Sequence, residues 1–225
     1  MKKLLTLAAV LGTASLSFGQ GYVSFSAGAT TSTRVSTNGV AVAGSASPIW
    51  YYALFAAPST TSNGTNATTN FDPTKTGWTV VAYGTNTASS GRLNGNTTTD
   101  AAVQIPGYPG GSSTADFAVA GWSANIGTDW TSVQRFFGDA PLFSQSSHDV
   151  GTMAGVGGWY GLAGLTANDV PVAPPGGPYN GLFGSAPGLI QGFALGQINP
   201  VPEPSTFALA GLGAAALVIF RRRRA

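Results

Sequence analysis

The chain has 225 residues, of which 43% are hydrophobic and only 8% charged, with 32 glycines and no cysteine, which excludes thiol catalysis, Cys-ligated zinc and disulfide stapling. Ten Lys and Arg against eight Asp and Glu give a formal +2, but six of those bases (Lys2, Lys3, Arg221, Arg222, Arg223 and Arg224) stand at the two ends. Residues 20–199 keep Arg34, Lys75, Arg92 and Arg135 against Asp72, Asp100, Asp116, Asp129, Asp139, Asp149 and Asp169, four against seven or −3, so the basic balance is no sign of a nucleic-acid partner.

Lys2 and Lys3 precede an apolar run over 4–16, and Ser17-Phe18-Gly19 places small residues where a signal peptidase requires them. Residues 1–19 therefore read as a cleaved signal peptide, with signal peptidase as its partner. Residues 22–27 alternate apolar and small polar, the period-2 pattern of a half-buried strand. Two more strands are expected over 39–44 and 49–56; the second is apolar on both faces, and Pro48 marks its start. Residues 58–70 are nearly all Ser, Thr, Asn and Gly and read as a solvated loop. Strands follow over 78–83 and 101–105, the latter stopped by Pro106-Gly107.

The cleanest core strand is 115–124, with Phe117, Val119, Gly121 and Ser123 on one face and Ala118, Ala120 and Trp122 on the other. A short helix follows: Thr128 suits the N-cap, Asp129 the first turn and Gly138 the C′ position. Trp130, Val133 and Phe137 share its apolar face and are expected to plug an end or edge of the fold. Residues 158–165 suit another strand, 170–178 a proline-stiffened connector and 189–198 the closing strand, ended by Asn199-Pro200. The pattern predicts an all-β domain over 20–199, an antiparallel β-sandwich of jelly-roll or other Greek-key type with one short helix.

Chemistry is sparse in this domain. His148 is the sole histidine, and adjacent Ser147, His148 and Asp149 cannot relay protons among themselves as a triad does. The aspartates fall in turns, strand starts and caps, with no paired-carboxylate signature and no Glu within 20–199. Asp139, Asp149 and Asp169 lack Asp-x-Asp spacing, so calcium is the weaker reading there and no metal or cofactor is expected. Asn63, Asn66 and Asn96 match the Asn-x-Ser/Thr acceptor pattern, which chance supplies in a chain this rich in Asn and Thr. Consecutive aromatics on a strand point to opposite faces, so Trp50, Tyr52, Trp159 and Tyr160 are the residues from which a carbohydrate platform could be built.

The C-terminus has three parts: Val201-Pro202-Glu203-Pro204, an uncharged apolar run over 207–220, and Arg221, Arg222, Arg223 and Arg224. The 14-residue run spans about 21 Å as a helix against a hydrocarbon core of about 30 Å, a gap that Ser205, Thr206, snorkelling arginines and local thinning close. A C-terminal transmembrane helix is thus expected in 200–225, with the arginines cytoplasmic and the β domain outside the inner membrane.

These residues closely resemble the PEP-CTERM sorting signal of bacterial envelope proteins: Pro202-Glu203-Pro204, a Gly/Ala/Leu-rich segment containing Gly211-Leu212-Gly213, and the arginine cluster. The resemblance implies recognition by an exosortase, a multi-pass membrane enzyme that cuts near the motif, and passage to the cell surface or an exopolysaccharide-rich matrix. It covers about 25 of 225 residues and transfers no activity to the rest. The expectation is a non-enzymatic, exported surface or matrix protein of structural or adhesive duty in the exopolysaccharide layer. A carbohydrate-binding module is the alternative, and a hydrolase comes third.

Overall fold

The computed structural model describes residues 20–28, 33–59, 77–96, 101–137, 152–154, 158–163 and 167–201. The signal peptide 1–19, most of the 58–70 loop, the C′ glycine and everything from Pro202 onward lie outside the described residues. Thirteen strands and one helix are described: β1 (Gln20–Ser24), β2 (Ser26–Ala27), β3 (Ser36–Thr37), β4 (Val40–Ala41), β5 (Trp50–Pro58), β6 (Thr79–Asn86), β7 (Leu93–Asn94), β8 (Ala102–Pro109), β9 (Thr114–Ser123), α1 (Trp130–Phe137), β10 (Thr152–Ala154), β11 (Gly158–Leu162), β12 (Ala167–Pro171) and β13 (Ala194–Val201). The protein is built mostly of strands, with one short helix among the described residues.

A long sheet runs β2-β7-β6-β5-β9-β11-β13-β3-β4, with β12 added to β9 and β10 to β13. The centre is the antiparallel pair β5–β9, in unbroken register from Trp50↔Ser123 to Pro58↔Ala115. Both strands are apolar on both faces, and both faces are covered. On one, Tyr52, Leu54, Ala56, Phe117 and Val119 join a core with Val23, Phe25, Val103 and Ile105, contributed by the separate β1–β8 pair and the residue after β1. On the other, Ala53, Phe55, Ala118, Ala120 and Trp122 form a core with Trp130, Val133 and Phe137 of α1.

The helix therefore lies on a face of the sheet, not at an end or edge. A strand with two apolar faces needs cover on both, and α1 supplies it through rings: Phe55 meets Trp130 edge-on at 4.9 Å and Phe137 meets Tyr160 at 4.7 Å. The cap also sits one residue later than expected. Asp129 Oδ1 accepts the Ser132 N–H at 2.8 Å, the N-cap to N3 bond, and Tyr83 Oη accepts the Trp130 N–H at 3.1 Å.

Other boundaries move for physical reasons. β8 runs through Pro106-Gly107 to Pro109, because the partner register jumps from Gln20↔Pro109 to Gly21↔Ile105 and the bulge absorbs the residues between. The proline-rich connector begins as edge strand β12, where Pro171 pairs with Thr114. The sheet is also not purely antiparallel, since β13 pairs in parallel with β3 and with β10. Close approach of β13 to its neighbour β11 needs Gly161, just past the paired residues: a Cβ there would lie 2.4 Å from the Ala194 carbonyl oxygen.

Candidate functional site

The closing strand β13 runs three residues past Ile198, to Val201. Every one of its eight residues has a register partner. Ala194 and Leu195 pair with β3, Gly196, Gln197 and Ile198 with β11, and Asn199, Pro200 and Val201 with Thr152, Met153 and Ala154 of β10. The sheet thus ends directly against Pro202-Glu203-Pro204, with no unpaired residue between. Pro202, Glu203, Pro204 and the cytoplasmic cluster Arg221, Arg222, Arg223 and Arg224 lie outside the described residues. Among the described residues no helix is long and apolar enough to cross a membrane, and the apolar run 207–220 is not among them.

The aromatic platform is not assembled as expected. Tyr52 and Tyr160 are completely buried, so neither ring can meet a sugar. The reason is that β5 and β11 are covered on both faces, leaving consecutive aromatics no solvent side to turn to. Trp50 and Trp159 remain partly exposed. They flank Ser123 across β9: Trp50 stands in register with Ser123, and Ser123 Oγ accepts the Trp159 N–H at 2.8 Å. The Trp50 Nε1 atom is itself buried with no hydrogen-bond partner among the described residues. Trp122 and Trp130 belong to the core, and the Trp122 Nε1–H donates to the Gly127 carbonyl at 2.8 Å.

Asn86 is a constructive residue that composition alone conceals. Its Oδ1 accepts the Ile49 and Trp50 N–H groups at 2.8 and 2.9 Å, and its Nδ2 donates to the Ser45 and Thr87 carbonyls at 3.0 and 3.3 Å. All four capacities of the amide are used to fix the start of β5. Its position as the last residue of a strand, ahead of a Thr-Ala-Ser-Ser turn, is the only sequence signal for it.

Asp129 serves the fold directly. Both carboxylate oxygens of Asp129 engage Ser132, one from its N–H and one from its hydroxyl at 3.1 Å. Asp116 is buried in β9. Burial raises the Tyr108 hydroxyl above its usual range, and the Asp116 charge adds to the effect. Asp139, Ser147, His148 and Asp149 lie outside the described residues, and of Asp169 only the backbone, in β12, is described. Among the described residues no three His, Cys, Asp or Glu come together. Asn96, a glycosylation-pattern residue, uses its side-chain amide to donate to the Ala102 carbonyl at 2.9 Å. An open groove of about 470 Å³ lies between the β3–β4 turn and residues 192–194, with Arg34 and Ser36 as its polar side chains.

Residues 200–224 match the family model of the PEP-CTERM protein-sorting motif. No curated protein matches the chain, and no solved structure does. The match assigns the C-terminal signal read by an exosortase, making this an exported protein that passes through a membrane-anchored stage.

Proposed function

We propose that this protein is a non-enzymatic component of the cell surface or extracellular matrix, cleaved by an exosortase at its tail and serving a structural or adhesive role in the exopolysaccharide layer. The observation that carries the reading is the sorting motif over 200–224, joined without a linker to the last strand of a β domain. In this reading signal peptidase removes residues 1–19, the run over 207–220 holds the chain in the inner membrane, and the arginines stay cytoplasmic. The β1–β8 pair over the long sheet serves as the second layer of a sandwich. Support for a structural domain comes from its carboxylates: Asp129 caps α1 and Asp116 lies inside a strand, positions that build the fold. The test is fractionation of the producing bacterium with and without its exosortase. The reading expects the protein at the surface or in the matrix when the enzyme is present and in the inner membrane when it is absent. The same distribution in both strains refutes it.

A second reading, a carbohydrate-binding module, is favoured by one observation: Trp50 and Trp159 flank Ser123 in one row and are both partly exposed. Flat indole faces suit pyranose rings. Glycan-array binding that disappears in Trp50→Ala and Trp159→Ala, with melting temperature retained, supports this reading; no binding by the wild type rejects it.

A further inference from the structure

We propose that the pairing of β10 with β13 sets the N-terminal limit of the segment an exosortase can cut, so that cleavage falls beyond Val201 and the released domain keeps all of β13. The inference rests on the exosortase reading above and adds to it where the cut can fall and what controls its rate.

A protease holds its substrate as an extended chain and hydrogen-bonds to that chain's backbone, as an added strand would. A segment whose backbone groups already serve a sheet is closed to such a cleft until it peels away. In this protein every residue from Ala194 to Val201 has a sheet partner. Pro202 and Pro204 have no N–H with which to continue the ladder. The sheet and the motif therefore share one boundary, fixed on one side by pairing and on the other by proline chemistry.

The element that holds the last three residues is β10, and β13 is its pairing partner. Pro200 has no N–H either, so at the Met153↔Pro200 step only Met153 can donate across the ladder. Cleavage within the motif needs the residues just ahead of the scissile bond, which are Asn199, Pro200 and Val201. Opening of the β10 pair thus precedes the cut. With the ladder bonds of this paired segment at stake, each worth roughly a two- to tenfold equilibrium factor, the closed pair slows processing about tenfold.

The experiment follows processing of the full-length chain by pulse-chase in the producing bacterium, with the C-terminus of the product mapped by mass spectrometry. Three chains are compared: the wild type, Met153→Pro, and a chain carrying Gly-Ser-Gly-Ser between Val201 and Pro202. The wild-type product is expected to end at Val201 or later. Met153→Pro and the insertion are each expected to speed processing about tenfold, by loss of the ladder donor and by supply of unpaired chain. The insertion leaves the domain untouched, so it reads the effect even if Met153→Pro fails to fold. A wild-type product ending at Pro200 or earlier, or an insertion that leaves the rate unchanged, overturns the proposal while leaving the exosortase reading intact. A wild-type chain that keeps Ala225 at the surface overturns both.

Discussion

Replacing Tyr52 with Phe should stabilise this protein, against the usual direction of core substitutions. The Tyr52 ring is completely buried, lies against Gly121, where an added Cβ would be 2.8 Å from it, and meets Phe193 edge-on at 6.4 Å. Its hydroxyl is buried with no hydrogen-bond partner among the described residues. A polar group that leaves water without a partner costs about 1–3 kcal/mol. Deleting one oxygen opens a void of about 10 Å³, which returns only about 0.2 kcal/mol as a penalty. The net gain is about 1–2 kcal/mol, or a melting temperature higher by about 2–8 °C for a domain of this size. A second signature is alkaline. Burial raises the Tyr52 hydroxyl well above its usual value, so the folded state keeps a proton that the unfolded chain loses above about pH 10. The folded state then binds more protons, and wild-type stability falls as pH rises past that point. Tyr52→Phe lacks this loss, so its advantage should widen between pH 8 and pH 10.5, while Tyr108, raised by burial and by Asp116, leaves a residual slope in both proteins. Thermal unfolding followed by circular dichroism at the two pH values reads both effects. A Tyr52→Phe protein less stable than the wild type, or an advantage independent of pH, would refute the reasoning.

Asn86→Ala removes four hydrogen bonds from the start of β5 and should cost about 2–4 kcal/mol in urea unfolding. Asn86→Asp, which keeps the two accepted N–H groups and loses both donors, should fall between it and the wild type; equal losses in the two variants would contradict the assignment. Gly161→Ala pushes a methyl against the Ala194 carbonyl and the Leu195 Cα, backbone atoms that cannot swing aside, and should cost about 1–3 kcal/mol by the same assay. A change below about 0.5 kcal/mol would mean that β13 does not approach β11 there as closely as described.

Strong periodicity was legible and partnership was not. The alternation of Phe117 and Val119 against Ala118, Ala120 and Trp122 separates the two cores as the strand period requires. The Trp130, Val133 and Phe137 face of the helix is buried as its spacing predicts. The cap is ambiguous by one residue in sequence because Thr128 and Asp129 are adjacent and both suit an N-cap; only the bond to Ser132 separates them. Pro106-Gly107 reads as a stop locally, but both residues sit in a bulge of β8 itself, where the ladder asks nothing of the missing proline N–H. Reading Tyr52 and Tyr160 as part of a platform rests on the premise that adjacent aromatics must expose one member. That premise fails where both faces of a sheet are covered. Thr152–Ala154 carries no strand signal of its own, since three residues in a Gly-rich stretch take their form from β13. The tail was legible for the opposite reason: prolines, an apolar run and an arginine cluster act through composition and order, which need no partner to be read.

The account turns on processing at the tail, and the C-terminal peptide of the protein recovered from the cell surface tests it most directly. Mass spectrometry should find a chain that has lost Arg221, Arg222, Arg223, Arg224 and Ala225, with its new end at or just beyond Val201. A surface protein whose terminal peptide still ends in Arg224-Ala225 would contradict the account.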